Sequence, residues 1–302
     1  MSPEIMSFLE KILPALEKNG FILCDEKPIN YGIQLKLSRN NDSIPLSIYY
    51  SAKKGISTVI GGSPQSKLRN PLALIINKPL INLDTDHTWQ TWIGTDESGK
   101  GDFFGPLVTA GFCGNRKIIP YLQQIGVQDS KKMNDTDIES VGKHLYAVYF
   151  DQIKVITLLP EVYNKRYAEL HQKGKNLNDL LAWMHARIIV DLDQQFHPDG
   201  AFIDKFTTEG RIRAALKEMK SINFIAQTKG ESDPFVAAAS IIARFHFNRW
   251  FKRLASELDF KIPRGAGALV DKAAQELAAK TGKNNLFKYV KTHFSNYNKI
   301  TG

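Results

Sequence analysis

Cysteine is scarce: Cys24 and Cys113 are the only two in 302 residues, they lie far apart, and neither belongs to a C-x-x-C pair or has a histidine at metal-ligand spacing. That excludes a disulfide scaffold and a zinc finger or ribbon, and it makes a reducing cytoplasm the expected setting. No stretch approaches the roughly 18 uninterrupted apolar residues of a membrane span, so no membrane association is expected. Acids break up the apolar residues near the N-terminus, so that segment is not a signal peptide. Low-complexity tracts and internal repeats are absent. So are G-x-S-x-G and H-E-x-x-H, which removes the nucleophile elbow and the zinc-protease helix. Acids are also fewer than bases: 31 Asp and Glu stand against 40 Lys and Arg, a formal charge of +9 that favours an acidic polymer as partner.

What is present supports packed domains. A 43% hydrophobic content over this length is enough for two cores. In MSPEIMSFLEKILPALEKNGF, Ile5, Phe8, Leu9, Ile12, Leu13 and Leu16 recur at helical spacing, which predicts an amphipathic helix stopping at Asn19-Gly20. Alternating runs at 31–38, 44–50 and 56–60, parted by turn residues at 40–42 and 54–55, predict a small antiparallel sheet. Its outward positions, among them Gln34, Lys36, Ser47 and Tyr49, suit either a solvated face or a nucleic-acid contact surface. A polar linker at 82–88 separates an N-terminal domain (1–85) from a second domain (90–302) that carries most of the positive charge.

In the second domain strands are expected at 92–96, 107–112, 151–158, 200–206 and 222–226, and helices at 178–195, 211–219 and 234–258, an α/β pattern. The turn between the first two strands is GTDESGKG (94–101). It has the glycine and lysine spacing of a P-loop, but Asp96 and Glu97 would repel a phosphate, and Gly101 replaces the hydroxyl residue that would hold Mg²⁺. The nucleotide-cradle interpretation therefore fails.

Two more acids stand out. Asp204 closes the apolar run AFIDKF, and Glu231 precedes the long helix in KGESDP. Singly each has a plain explanation: Asp204 pairing with Lys205 or Arg211, Glu231 or Asp233 capping a helix, with Asp233 before Pro234 the favoured cap. Together Asp96, Glu97, Asp204 and Glu231 suggest a site for hard divalent ions acting on a phosphodiester. His185, on a largely apolar helix, is expected to be a packing residue, Trp89 and Trp92 are expected to be core or domain-junction residues, and the run AAAS (237–240) is expected to pack closely on the sheet.

Taken in order, GTDESGKGDFFGPLV (94–108), GVQDSKKM (126–133), YNKRY (163–167), NLNDLLAWMHARII (176–189), AFIDKF (201–206), KGESDPFVAAASIIAR (229–244), IPRGAGALVD (262–271) and VKTHFSNYNKI (290–300) resemble the type 2 ribonucleases H, specifically their bacterial HIII branch. The resemblance spans 90–302. It implies an RNase H-like mixed sheet flanked by helices, preceded by a small α+β domain similar to the TATA-binding protein. It also implies an endonuclease that hydrolyses the RNA strand of RNA/DNA hybrids and leaves 5′-phosphate and 3′-hydroxyl ends. By position, Asp96, Glu97, Asp204 and Glu231 would bind catalytic Mg²⁺ or Mn²⁺. Gly99, Lys100 and Gly101 would meet the ribose 2′-hydroxyl beside the cut, and Ser130 and Lys131 would meet phosphate. A cytoplasmic monomer is expected. Two positions depart from relatives: Glu231 stands where HII enzymes carry Asp, and Lys205 where relatives often have Gln. The rival expectations are a nucleic-acid-binding protein without catalysis and an RNase H-like nuclease acting on DNA.

Overall fold

The computed structural model describes residues 2–52, 55–63, 66–76, 87–217, 222–228 and 230–301, and of Asn70, Leu74 and Glu231 only the backbone. The chain divides into two compact units, Met1–Pro79 and Leu80–Gly302. The expected linker at 82–88 lies outside the described residues except for His87 and Thr88.

In the first unit, helix α1 (Pro3–Lys18) opens with Ser2, whose hydroxyl accepts the Ile5 N–H at 3.3 Å, and with Pro3 at its first position. It stops where Gly20 takes a φ of +75° and the Asn19 amide donates to the Ala15 carbonyl. Ile5, Leu9, Ile12 and Leu16 form its buried stripe. Strands β1 (Ile22–Ile29), β2 (Gly32–Arg39), β3 (Asp42–Ser51) and β4 (Gly55–Ile60) follow in sheet order, all antiparallel. The register sets Ile33 opposite Ile48, Leu35 opposite Leu46 and Leu37 opposite Ile44. Three cross-strand apolar pairs therefore form the inner face against α1, as the alternation requires. Helix α2 (Arg69–Ile76) adds Leu72, Ile75 and Ile76 to the same core. Neither β1 nor α2 was anticipated. β1 is an edge strand exposed along nearly its whole length; it has no apolar alternation to detect, and Pro28 is tolerated because an edge leaves one row of N–H groups unpaired.

The second unit is built on a five-stranded sheet in the order β7-β6-β5-β8-β9. β5 (Thr91–Ser98) and β6 (Leu107–Asn115) form the expected hairpin and β7 (Ile153–Leu158) continues it antiparallel, while β8 (Gly200–Asp204) and β9 (Phe224–Gln227) join in parallel. It is the mixed α/β arrangement that the motif order implied. Between β6 and β7 lie α3 (Ile119–Gln124) and α4 (Asp135–Tyr149). α5 (Pro160–Gln172) and α6 (Leu177–Phe196) lead to β8, and α7 (Glu209–Lys217) leads to β9. α8 (Pro234–Leu258), α9 (Ala268–Thr281) and α10 (Ser295–Thr301) complete the unit. Among the described residues no helix is long and apolar enough to cross a membrane.

The pleat of β5 decides what reaches each side of the sheet. Trp92 is fully buried in the cluster shared with α8, and Ile93 in the cluster shared with α6. Gly94 lies directly under α8: a β-carbon there would overlap the Phe235 carbonyl carbon and the Val236 nitrogen. Asp233 caps α8 as expected, accepting the Phe235 and Val236 N–H groups at 2.9 and 3.0 Å, and also accepts from the Trp92 indole at 2.9 Å. The start of α8 is thereby locked to β5. Ala237, Ala238 and Ala239 are fully buried in this contact, which is the close packing that the small-residue run predicts.

Candidate active site

Past Gly94 the same alternation separates adjacent acids. Asp96 points to the α8 side, where it meets Ser240, and Glu97 points to the α6 side, where its Oε2 lies 3.2 Å from His185 Nε2. β8 runs parallel to β5 with Ile203 opposite Thr95, so the next residue of each strand, Asp204 and Asp96, sits at the same sheet end. Asp96, Glu97 and Asp204 share a cavity of about 270 Å³ with Ser98, Ser130, Lys131, Ser240 and Arg244. A larger groove of about 490 Å³ lies between α5, α6 and α7. There Arg166 pairs with Glu169 and Arg211 with Asp179, so the two acids among its described lining residues are each matched by an arginine.

Asp96 is strongly perturbed. Burial pushes its carboxyl well above the usual carboxylate range, the charge of Glu97 pushes it further, and Asp204 adds to the effect. Hydrogen bonds from the Ser240 hydroxyl and the Glu97 N–H, the latter at 2.8 Å, pull the other way without prevailing. Asp204 Oδ1 accepts the Gly230 N–H at 2.9 Å, so the turn Gly230–Ser232 is held against the end of β8. Only hydrogen fits at Gly230, because a β-carbon would press on the Asp204 backbone. That contact places the backbone of Glu231, the fourth expected acid, beside the cavity; its side chain lies outside the described residues. Arg211, one partner suggested for Asp204, instead donates to Asn176 at 2.8 Å and pairs with Asp179.

These are oxygen donors, the set that suits a hard divalent cation, and the crowding that raises Asp96 is a concentration of negative charge that such a cation relieves. Among the described residues no group of three or more His, Cys, Asp or Glu is by itself arranged to hold a metal ion.

A family model for ribonuclease HII matches residues 93–297. Ribonuclease HIII of Bacillus cereus (strain AH187) is 39% identical over 214 residues, covering 68% of this chain and 67% of that protein. Ribonuclease HIII of Chlamydia trachomatis serovar L2 is 34% identical over 308 residues, covering 100% of this chain and 96% of that one. The chain belongs to the ribonuclease HIII family. Its fold agrees: a crystal structure of Bst-RNase HIII in complex with Mn²⁺ superposes with a TM-score of 0.63 at 25% identity, over 96% of this chain and 95% of that one. Aquifex aeolicus RNase H3 gives 0.54 at 25% identity over 98% of each chain. The protein is thus an enzyme, a ribonuclease of the H type.

In this chain the glycine loop is shaped by its neighbours. Gly99 has a φ of +90°, and a β-carbon there would strike the Pro106 carbonyl, whereas at Gly101 a β-carbon would meet nothing within 4 Å. Lys100 Nζ lies 3.9 Å from Glu97 Oε1 and 5.5 Å over the Phe206 ring. The far flank of the loop is pinned by Lys291, a fully buried lysine that donates to the Asp102 and Gly105 carbonyls at 2.8 Å each. Burial lowers the Lys291 pKa to about 7, against the pull of Asp102. Ser130 Oγ lies 2.8 Å from Ser240 Oγ, and Arg244 donates to the Ser130 carbonyl and, at 3.0 Å, to Asp135. The Asp-Ser-Lys turn is thereby fastened to α8.

Sequence reasoning missed Thr95, His185, Ser240, Arg244 and Lys291 as parts of this site. Ser240 carried a faint signal, one hydroxyl closing a run of alanines. His185 was expected to pack, and it is fully buried, yet both ring nitrogens have polar partners at the acid cluster. Nothing in its helix spacing marks that, because the partners lie some 90 residues away in sequence.

Proposed function

We propose that this ribonuclease hydrolyses the RNA strand of RNA/DNA hybrids with Mg²⁺ or Mn²⁺ held by Asp96, Glu97, Asp204 and Glu231. The observation that carries this reading is the meeting of Asp96, Glu97 and Asp204 at the ends of neighbouring parallel strands, in a cavity whose other wall holds Lys131 and Arg244. When bound, the ion supplies a Lewis acid that offsets charge on the scissile phosphodiester. The protein supplies the rest. β5 and β8 hold the acids at fixed spacing, and the Gly230 N–H and the Ser240 hydroxyl orient Asp204 and Asp96. Gly99, buried against Pro106, lets the loop turn at a φ of +90°, and Gly101, exposed with open space where a β-carbon would sit, lets the loop backbone approach a ribose closely enough to touch its 2′-hydroxyl, the group that separates RNA from DNA. Lys100 and Lys131 contact flanking phosphates without sequence preference. Ser130 shares its hydroxyl with Ser240, so its own phosphate contact is secondary. Water adds to phosphorus and the bond to the 3′ oxygen breaks, leaving 5′-phosphate and 3′-hydroxyl ends.

Residues 1–85 are proposed as a substrate-binding domain similar to the TATA-binding protein. The polar and aromatic outer face of β1–β4, with Lys36, Gln34 and Tyr49, supports that role. The protein works as a cytoplasmic monomer in this reading. The deciding experiment compares cleavage of a hybrid, an all-DNA duplex and an all-RNA duplex with and without divalent ions. Cleavage confined to the hybrid and abolished by EDTA is the expected result, and cleavage of DNA alone would remove the substrate assignment.

Replacing either Lys100 or Lys131 by Ala should flatten the dependence of log K on log salt by about one unit for hybrid binding in EDTA. An unchanged slope would place that lysine away from phosphate. Removing residues 1–85 should raise the hybrid KM by about tenfold or more while kcat changes by less than about threefold, a loss of uniform binding. A wild-type KM in the truncated enzyme would make the assigned role wrong.

A further inference from the structure

We infer that His185 is a positioning residue that fixes one oxygen of Glu97 and so presents the other to the catalytic cation; this rests on the reading of Glu97 as a metal ligand. Thr95 and Glu97 are two residues apart on β5 and therefore face the same side, roughly 7 Å apart along the strand. The His185 ring spans that interval. Its Nδ1 lies 2.8 Å from Thr95 Oγ1 and its Nε2 lies 3.2 Å from Glu97 Oε2.

The ring is locked in place. His185 and Thr95 are both fully buried, and the Phe206 ring stacks on the imidazole at 4.7 Å with 22° between the planes. A carboxylate can only accept, so Nε2 carries the hydrogen in this contact; the Thr95 hydroxyl can meet Nδ1 as donor or acceptor. The consequence is a division of labour within one carboxylate. Oε2 is committed to His185. Oε1 lies on the side of Lys100, whose Nζ is 3.9 Å away, and remains available. Glutamate has three side-chain torsions, and holding one oxygen removes most of the rotamer freedom that a cation would otherwise have to quench on binding. Asp96 is treated in parallel on the opposite face, where the Ser240 hydroxyl holds it.

The test uses the full chain and two substitutions of similar size. In His185→Gln an amide N–H can still reach Glu97, whereas in His185→Met no donor remains. Mn²⁺ affinity is measured by titration calorimetry without nucleic acid, alongside kcat, hybrid KM and melting temperature. His185→Met should weaken Mn²⁺ binding about 10–100-fold and lower kcat, while His185→Gln stays within about threefold of wild type. Hybrid KM should move by less than about twofold in both, since the lost contact concerns the cation. Equal Mn²⁺ affinity in the Gln and Met variants, or wild-type affinity in a folded His185→Met, overturns the inference. If His185→Met does not fold, Thr95→Val carries the test, because it removes only the hydroxyl that anchors the ring. A loss of about threefold or more in Mn²⁺ affinity supports the inference, and wild-type affinity overturns it. If the wild-type protein itself takes up no Mn²⁺, the metal assignment falls together with this inference. If it binds Mn²⁺ and cleaves hybrid while His185→Met matches it, this inference alone falls.

Discussion

Asp96→Asn should abolish cleavage and, in EDTA at neutral pH, melt at a higher temperature than the wild-type protein. The loss of turnover should be about 10³-fold or more if Asp96 holds the ion as proposed, since removing a metal ligand forfeits several kcal/mol of charge stabilisation at the reacting phosphate. The gain in stability follows from the buried carboxyl. Burial and the charges of Glu97 and Asp204 raise its pKa in the folded chain above the unfolded value. Such a group favours folding fully below the unfolded value, near about 3.9, and loses that contribution as pH rises through the folded value. At neutral pH, above the unfolded value, the folded chain therefore bears the cost of burying this charge or of taking up a proton to avoid it, and the neutral amide relieves that cost. The melting difference should amount to about 2–4 °C for each kcal/mol relieved, and should shrink toward zero below about pH 3, where Asp96 is protonated in both states. Adding Mn²⁺ should raise the melting temperature of the wild-type protein and leave that of the Asn variant nearly unchanged. A variant that still cleaves, or one that is less stable than wild type at every pH, would contradict the role given to Asp96.

Gly94→Ala is expected to be the most damaging substitution of a single methyl group. The strand conformation at Gly94 suits alanine, so the cost is purely steric, and the atoms in the way are the Phe235 carbonyl carbon and the Val236 nitrogen. Backbone at the start of α8 cannot rotate aside, and Asp233 with the Trp92 indole fastens it there. Overpacking of this kind costs about 3 kcal/mol or more, corresponding to a melting temperature lower by ~6–12 °C. Activity should fall as well: α8 carries Ser240, so lifting its first turn off β5 withdraws the hydroxyl that holds Asp96. Gly101→Ala is the matched control, because a β-carbon there meets no atom within 4 Å and the melting temperature should stay within about 1 °C. Equal melting temperatures for the two variants would show that α8 does not press on β5.

Much of the fold was legible because its signals are local. α8 was bounded correctly by Asp233-Pro234 at its start, and the alternation in β2 and β3 named the residues that pair across the N-terminal sheet. β1 and α2 escaped for equally local reasons. β1 buries almost nothing, so it has no pattern, and α2 is a short segment of eight residues. For the site, an acid closing an apolar strand is visible in a sequence because an ionised group beside a core needs compensation. That argument named Asp96, Glu97 and Asp204. It named neither Ser240 nor His185, whose side chains look ordinary on their own helices.

The amino-acid sequence alone determined which residues carry charge into an apolar setting, where the chain must turn, and through its motif order which family the protein joins. These follow from composition and from periods of 2 and 3.6 residues, which need no knowledge of what lies across the molecule. The tertiary structure decided that the neighbours Asp96 and Glu97 look to opposite faces of one sheet and are held by different helices, Asp96 by Ser240 of α8 and Glu97 by His185 of α6. Those partners come from distant parts of the chain, and only the pairing of β5 with β8 and the packing of α6 and α8 on either side bring them within hydrogen-bonding distance.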